Sequence, residues 1–302
     1  MKRVGLWATA EAVTVGKDLS GRHAIVTGAN TGIGFETARV LALRGCSVTL
    51  GCRNLATAEA ARERIARQNG ADVRVQQLDL GSLASVHRFA AEFLATGRPL
   101  QLLINNAGVA LTERRVTEDG FEAHFGINQI GHFVLTRLLL DRLCESAPAR
   151  VVAVSSHAQH WATLTAGLAD LNWEKRPFNG FKAYGDSKLM NVLFTNELNR
   201  RLEGTGVVAN AVHPGLVRTE LARNSPTWMS IVLGPVLFFA KGPARGATTV
   251  VYAATDPELG QRGGGYYASC RPARTAKLAG DRAVQERFWK LSEELTGIGP
   301  AD

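Results

Sequence analysis

Cysteine is scarce in this sequence, with four residues in 302. Cys46, Cys52, Cys144 and Cys270 are scattered, form no Cys-x-x-Cys pair and have no histidine at zinc-finger spacing. Spacing of this kind is not that of a zinc site or a disulfide framework. The pattern predicts reduced thiols in a cytoplasmic protein and no bound metal.

Long hydrophobic runs are also missing. The basic start at residues 1–3 is followed by Glu11 and Lys17 before an apolar signal region develops, so no secretion signal is predicted. Residues 228–240 are apolar, but they are too few to span a bilayer and a Gly-Pro pair interrupts them. We therefore expect no transmembrane anchor, and we interpret this segment as buried or as covering a substrate.

Concentrated charge, internal repeats and low-complexity segments are absent as well. The net charge is +8, yet the lysines and arginines are dispersed rather than gathered in a basic tract. A dispersed charge is not typical of a nucleic-acid surface, and an anionic small ligand accounts for part of it equally well. With 45% hydrophobic residues, the chain can bury a substantial core.

Short β-rich runs alternate with amphipathic stretches from residue 23 onward. This alternation predicts an α/β fold, a single-domain Rossmann-type doubly wound parallel sheet of about seven strands with helices on both faces. The predicted strands are residues 23–27, 47–51, 73–77, 100–105, 150–155, 207–212 and 266–268. The predicted helices are residues 34–44, 55–69, 83–96, 117–144, 181–203, 243–254 and 282–295.

The domain organisation follows from the same reading. Residues 1–20 are predicted to be an N-terminal extension, and residues 21–302 one nucleotide-binding domain. Two regions, residues 157–180 and 216–242, interrupt the alternation after predicted strands, at the sheet edge where ligands bind. We expect the second, at about 216–242, to be a substrate loop.

A glycine-rich turn follows the first predicted strand and opens a helix. Its sequence is Gly28-Ala29-Asn30-Thr31-Gly32-Ile33-Gly34. Glycines let the backbone approach a pyrophosphate, whose charge the free amides at a helix N-terminus receive. This position predicts nucleotide binding by the turn.

The end of the second strand indicates the cofactor. NAD sites usually carry a carboxylate there, whereas this chain has Cys52-Arg53-Asn54. Arg53 suits a 2′-phosphate, so NADP(H) is predicted. After the third strand, Asp79 precedes Leu80; Asp79 either contacts the adenine or caps the helix that begins near Ser82, and both readings stay open.

Tyr184 and Lys188 stand four residues apart and therefore share one face of a predicted helix. A neighbouring ammonium favours the phenolate, so Lys188 is expected to lower the pKa of Tyr184. Such a tyrosine can protonate a carbonyl oxygen or deprotonate an alcohol.

Six motifs in order resemble the short-chain dehydrogenase/reductase family, over nearly all of residues 21–295. They are the glycine turn, Asn105-Asn106-Ala107-Gly108, Asn128, Ser155-Ser156, Tyr184-x-x-x-Lys188 and His213-Pro214-Gly215. Phrases such as Gly131-His132-Phe133 and Ser187-Lys188-Leu189 resemble the branch with the retinol dehydrogenases and the WW-domain oxidoreductase.

The resemblance implies catalytic roles for four residues. Tyr184 would be the general acid or base, and Lys188 would hold the nicotinamide ribose. Asn128 would fix a water on the proton path. Successive strand residues face opposite ways, so only one of Ser155 and Ser156 reaches the pocket, and the family pattern selects Ser156 for the substrate oxygen.

The predicted cofactor residues extend beyond the catalytic pair, Tyr184 and Lys188, which belongs to them. The others are Gly28, Asn30, Thr31, Gly32, Ile33, Gly34, Arg53, Asn54, Asp79, Leu80, Asn105, Ala107, Gly108, Pro214, Gly215, Val217 and Thr219. The turn at residues 105–108 also suits a purely structural role bracing the central strand.

The substrate is expected to be a bulky hydrophobic carbonyl or alcohol, such as a retinoid, steroid, lipid aldehyde or polyketide. Ser156, His157 and Trp228 are the predicted substrate residues, because the segment around Trp228 is apolar and the insert before Tyr184 carries several aromatic residues. His157 and His213 lack a carboxylate partner at triad-like spacing, so they are expected to be structural or substrate-lining.

Two other functions stay open. The chain could reduce a C=C bond, as the related protochlorophyllide reductases do with the same Tyr-x-x-x-Lys pattern. A nonenzymatic NADP-binding scaffold is the third reading, although all four catalytic residue types are present. The resemblance is compatible with a homodimer or homotetramer.

Overall fold

A computed structural model describes residues 8–215 and 242–299. Its short apolar runs form one eight-stranded sheet in the order β3-β2-β1-β4-β5-β6-β7-β8, parallel except for the last pair. The strands are β1 (His23–Thr27), β2 (Ser47–Cys52), β3 (Val73–Gln77), β4 (Leu102–Asn105), β5 (Ala149–Val154), β6 (Val207–His213), β7 (Tyr266–Ala268) and β8 (Arg271–Pro272). The predicted doubly wound sheet is confirmed.

The helices connect these strands across both faces of the sheet. They are α1 (Gly32–Leu43), α2 (Leu55–Asn69), α3 (Leu83–Ala95), α4 (Ala123–Phe125), α5 (Gly131–Leu138), α6 (Leu140–Glu145), α7 (Gly180–Arg201), α8 (Pro243–Gly246), α9 (Thr248–Thr255) and α10 (Arg282–Thr296). Local sequence sets several of their ends. Asp281 caps the first amides of α10, and Gly297 ends that helix with a φ of 66°.

The eighth strand was not predicted. Residues Ser269 and Cys270 connect β7 to β8, and both adopt positive φ angles of 50° and 58°. Tight hairpins of this kind usually carry Gly, Asn or Asp at such positions, so Ser-Cys gives little sign of one.

The predicted helix over residues 117–144 is wrong at its start and in its continuity. Residues 117–120 form a turn instead, in which Thr117 N donates to Phe121 O and Gly120 has a φ of 84°. The helix begins at Ala123, passes through a π-helical turn at Gly126–Ile130 and continues as α5. Apolar periodicity does not distinguish these forms, because the helix face is the same in each.

The core has two layers, one on each face of the sheet. Alternate residues of β1 divide between them, with Ala24 and Val26 in one cluster and Ile25 in the other. One layer packs under α1, α2 and α9, and the other under α3, α5, α7 and α10. The strand order reverses beside β1, where β2 and β4 diverge, and this is where open α/β sheets bind ligands.

The extension and the predicted substrate loop are only partly described. Ala10 N donates to Ala244 O and Leu19 N to Arg44 O, so residues 8–20 lie against the body of the fold. Residues 216–241 lie outside the described residues, and the predictions for Val217, Thr219 and Trp228 fall there. No helix of the two described stretches is long and apolar enough to cross a membrane.

Candidate active site

The turn after β1 leads into the N-terminus of α1 at the carboxyl end of the strand. Thr31 is the N-cap of α1, and its side chain makes no capping hydrogen bond. No acidic residue lies in the first turn of α1. Gly28 and Gly32 have φ angles of 64° and 60°, which glycine adopts without strain. This geometry suits a pyrophosphate, since the first amides of a helix attract an anion.

The predicted cofactor residues near β2 have mixed surroundings. Arg53 is exposed directly after the strand. The side chain of Asn54 accepts a hydrogen bond from Thr57 N at 3.0 Å and thus caps α2. Asn30 Nδ2 donates to Thr57 Oγ1 at 3.1 Å, which joins the glycine turn to α2. Thr57 was not singled out from the sequence, because only the fold brings it beside Asn30.

Asp79 closes a turn rather than capping the helix. Its Oδ1 accepts from Gly81 N at 2.9 Å, while its own amide donates to Ser85 Oγ at 3.0 Å. The residue before α3 is Ser82, whose side chain makes no capping bond. Leu80 is buried. The capping alternative is therefore wrong, and the adenine contact stays a prediction.

The turn after β4 braces the sheet and also approaches the centre of the site. Asn105 is buried and its Nδ2 donates to Thr136 Oγ1 at 2.9 Å, so its side chain faces the core. Ala107 N donates to Thr27 Oγ1 at 2.9 Å. A Cβ added at Gly108 would lie 3.1 Å from Asn128 Oδ1 and 3.6 Å from Lys188 Nζ. Asn105 thus has the structural role, while Gly108 keeps backbone close to the lysine.

Neighbouring serines at the end of β5 face opposite ways. Ser155 is buried, and its hydroxyl donates to Lys188 O at 2.7 Å. The Ser156 hydroxyl accepts from Ala158 N at 3.2 Å and hydrogen-bonds with the phenol of Tyr184. Strand alternation therefore separates a serine that holds helix α7 from one that meets the tyrosine.

Tyr184 and Lys188 lie on α7 with the ammonium nitrogen 5.6 Å from the centre of the phenol ring. Tyr184 is half-buried, and burial raises the pKa of its phenol, opposed by its hydrogen bond with Ser156. Burial also lowers the pKa of Lys188 to about 8. The expected lowering of the tyrosine pKa by Lys188 is thus not the dominant effect, because desolvation outweighs it.

Asn128 sits in the π-helical turn with every polar group engaged. Its Oδ1 accepts from Val109 N at 2.7 Å, and its Nδ2 donates to Val109 O and to Ser187 Oγ, both at 3.0 Å. Its backbone oxygen accepts from His132 Nδ1 at 3.1 Å and from Asn191 Nδ2 at 2.9 Å. These contacts fix the placement of Asn128, and its expected role in holding a water on the proton path stays a prediction.

His132 links this turn to the cofactor side of the sheet. A nitrogen facing a carbonyl must carry its proton, so Nδ1 donates to Asn128 and Nε2 accepts from Thr27 Oγ1 at 2.8 Å. The Thr27 oxygen also accepts from the amides of Asn106 and Ala107, each at 2.9 Å. Burial lowers the pKa of His132 to about 4, so the ring is neutral.

Histidines and aromatic side chains gather after β5 and at the start of α7. His157 is exposed, its amide lies 3.3 Å from His213 Nδ1, and its ring centre is 4.7 Å from that of His160. Trp161 stacks on Phe181 at 4.8 Å between ring centres, and both are largely exposed. Phe181 precedes Tyr184 by about one helical turn and therefore lies on the same face of α7.

Pro214 and Gly215 end the first described stretch after β6, and Gly215 has a φ of 92°. Within residues 8–215 and 242–299, no group of three or more His, Cys, Asp or Glu side chains is arranged to hold a metal ion.

Comparisons with known proteins agree with this architecture. A family model described as short chain dehydrogenase matches residues 22–166. Retinol dehydrogenase 12 of Mus musculus is 45% identical over 287 residues, which cover 94% of this chain and 89% of that protein. The WW domain-containing oxidoreductase of Homo sapiens is 40% identical over 293 residues, covering 95% of this chain and 71% of that protein.

A solved structure shows the same fold. An uncharacterized protein from Mycobacterium Paratuberculosis is 36% identical with a TM-score of 0.76, covering 93% of this chain and 95% of that one. The chain therefore belongs to the short-chain dehydrogenase/reductase family, in the branch of its retinol dehydrogenase relatives. It is an oxidoreductase of carbonyl and alcohol groups, with a nicotinamide cofactor and a small-molecule substrate.

Proposed function

We propose that the protein interconverts a carbonyl and an alcohol on a bulky hydrophobic substrate with NADP(H), and that Tyr184 transfers the proton. The observation that carries the proposal is that Tyr184 contacts both Ser156 and Lys188, whose ammonium donates to Val154 O at the carboxyl end of β5. A bound nicotinamide ring would supply or accept the hydride, and the protein must then deliver a proton to, or take one from, the oxygen of the same group.

The proton is held at the phenol oxygen of Tyr184. Because burial raises the pKa of Tyr184, the phenol is protonated at neutral pH and is ready to donate to a substrate oxygen. The Ser156 hydroxyl stabilises charge on either oxygen as the proton moves. In the oxidative direction the phenolate would accept the proton from the alcohol, with Lys188 as the neighbouring positive charge.

The proposed cofactor residues fit NADP(H). The N-terminus of α1, which no side chain caps, would receive the diphosphate, and Arg53 would pair with the 2′-phosphate. Lys188 has a nitrogen close to Gly108 and would contact the nicotinamide ribose. The predicted set also includes Asp79, Ala107, Pro214 and Gly215. These residues follow strands β3, β4 and β6, at the carboxyl edge of the sheet.

The proposed substrate class rests on the exposed aromatic side chains near Tyr184. Trp161 and Phe181 present a stacked, exposed aromatic surface one helical turn from Tyr184. Exposed aromatic pairs bind planar or extended apolar molecules well. The similarity to proteins named retinol dehydrogenase makes retinoids the first substrates to try.

A titration and a substrate panel test the proposal. NADPH and NADH binding would be followed by nicotinamide fluorescence, and turnover would then be measured with retinal, ketosteroids, lipid aldehydes and enones. Arg53→Ala should weaken NADPH binding at least tenfold while changing NADH binding little, because one charge-assisted phosphate contact is lost. A wild-type preference for NADH would refute the role given to Arg53.

The proton-transfer role has its own pair of variants. Tyr184→Phe should lower kcat at least about 100-fold with nearly unchanged NADPH affinity, since only the proton-carrying oxygen is removed. Tyr252→Phe is the matched control, because Tyr252 lies in α9 within the opposite core layer. Turnover that survives in Tyr184→Phe would show that another group transfers the proton.

A further inference from the structure

A buried polar layer joins α7 to the π-helical turn, and its centre is Asn191. This residue follows Lys188 by three positions on the same helix and is 4% exposed. Its Oδ1 lies 3.3 Å from Lys188 Nζ. Its Nδ2 donates to Asn128 O at 2.9 Å and to Gln129 Oε1 at 2.7 Å.

The partners of Asn191 fix the orientation of its amide. Both groups that face Nδ2 are oxygens, and the group that faces Oδ1 is an ammonium, which has donors only. A flipped amide would set its NH₂ group against Lys188 and its oxygen against two other oxygens. Only one orientation therefore satisfies all three contacts.

The amide also determines how many donors Lys188 keeps available. The ammonium has three N–H groups, of which one goes to Val154 O at 2.9 Å and one to Asn191 Oδ1. One N–H remains. The two fixed acceptors lie on β5 and on α7 itself, so together they set the direction of the third donor.

We propose that Asn191 is a positioning residue for Lys188: it holds the ammonium at the active site and ties it to the backbone of Asn128. This inference rests on the proposed function, in which Lys188 serves the cofactor ribose and the tyrosine. Asn191 also supplies one of the two donors on the Asn128 carbonyl, so the lysine and the π-helical turn keep one relative placement.

The charge state of Lys188 depends on the same contact. Burial lowers the pKa of Lys188 to about 8, and an amide oxygen favours the charged form. The titratable groups that face the ammonium are Tyr184 and His132, and neither carries a negative charge at neutral pH. Among the described residues no carboxylate opposes this burial, and the ammonium's hydrogen bonds go to two neutral acceptors, Val154 O and Asn191 Oδ1.

Two substitutions at position 191 test the inference. Asn191→Leu has the same branching and no acceptor, whereas Asn191→Asp keeps an oxygen beside Lys188. The dissociation constant of NADPH would be measured by fluorescence from pH 6 to 10, together with kcat, KM and the melting temperature. Asn196→Ala is the control, because Asn196 lies on α7 and donates to Ala279 O, away from the site.

NADPH affinity should fall as the pH rises and Lys188 loses its proton. In Asn191→Leu this fall should begin about one pH unit lower than in wild type, because the loss of a hydrogen bond to the charged ammonium favours the neutral amine by about that amount. In Asn191→Asp it should begin at or above the wild-type pH. An unmoved profile in Asn191→Leu, or equal downward shifts in both variants, would overturn the inference. If Asn191→Leu does not fold, a downward shift in Asn191→Asp alone overturns it.

The binding and melting readouts do not require turnover. If no carbonyl substrate is reduced but the two binding profiles separate as expected, the proposed reaction fails and the positioning role of Asn191 stands. If turnover follows the proposal and the profiles coincide, the positioning role fails alone. The two failures are thus distinguishable.

Discussion

Replacing Lys188 by methionine should make the cofactor-free protein more stable while it destroys the active site. Lys188 is 4% exposed, and burial lowers its pKa from 10.5 to about 8. A buried ammonium that has no carboxylate partner is a cost to the folded state. Methionine has a similar length and carries no charge, so the substitution removes that cost without leaving a large cavity.

The size of the stability gain in Lys188→Met follows from the pKa of Lys188 and from the two hydrogen bonds that are lost. One pH unit corresponds to 1.36 kcal/mol, so the charged form costs the folded chain about 3 kcal/mol relative to the neutral amine at pH 7. Against this, Val154 O and Asn191 Oδ1 each lose a donor, at about 1 kcal/mol apiece. We expect a net gain of about 1 kcal/mol, or roughly 2 °C in melting temperature.

The pH dependence gives a sharper test than the single temperature. Below pH 8, Lys188 is protonated in the folded and unfolded states alike, and wild type bears the full cost. Between about pH 8 and 10.5 only the unfolded state holds the proton, so wild type gains stability as the pH rises. The advantage of Lys188→Met should therefore be largest below pH 8 and shrink toward pH 10.5.

The assay is thermal unfolding of the cofactor-free protein from pH 6 to 10, repeated with saturating NADPH. Lys182→Met is the control, because Lys182 is an exposed residue of the same helix. With NADPH the order should reverse, since wild type gains ribose contacts that the variant lacks. A variant that melts well below wild type at pH 7, or an advantage that grows with pH, would refute the reasoning.

The remaining predictions concern the glycine turn and the two serines. In Gly34→Ala the new methyl overlaps Gly28 O, so the free energy of unfolding should fall by about 1–3 kcal/mol in denaturant titrations; Gly280→Ala, which meets open space, should match wild type. Ser156→Ala should lower kcat at least about 100-fold at unchanged NADPH affinity. Ser155→Ala should instead lower the melting temperature, because its bond to α7 is lost; equal kinetic losses in both serine variants would contradict the assigned orientations.

Much of the fold could be predicted because the strands are short apolar runs between clear turn signals. All seven predicted strands are present, with ends within two residues of those expected. The carboxyl ends of β1, β4 and β5 then had to lie together, which brought the glycine turn near Ser156. The hairpin at Ser269 and the turn before Ala123 were missed, because Ser-Cys is not a typical hairpin turn and apolar periodicity does not distinguish a turn from the start of a helix.

The site was predictable only where the chemistry is local in sequence. Tyr184 and Lys188 share a helix face by their spacing alone, and strand alternation separates Ser155 from Ser156. The role of Asn191 depends on which residues of two separate helices face each other, and spacing along the chain does not report that. The inward orientation of Asn105 was open for the same reason, since its partner lies on α5.

Burial changes how the tyrosine and lysine work as a pair. Each group is pushed toward its neutral form, so that the pKa of Tyr184 rises and that of Lys188 falls. At neutral pH the phenol therefore holds its proton and the ammonium keeps its charge, which is the state required to protonate a carbonyl oxygen. Loss of that proton would create a phenolate beside a cation, and the Ser156 hydrogen bond stabilises it further. In the proposed reaction the same pair would therefore serve both directions, while its resting protonation state at neutral pH is that of the proton donor.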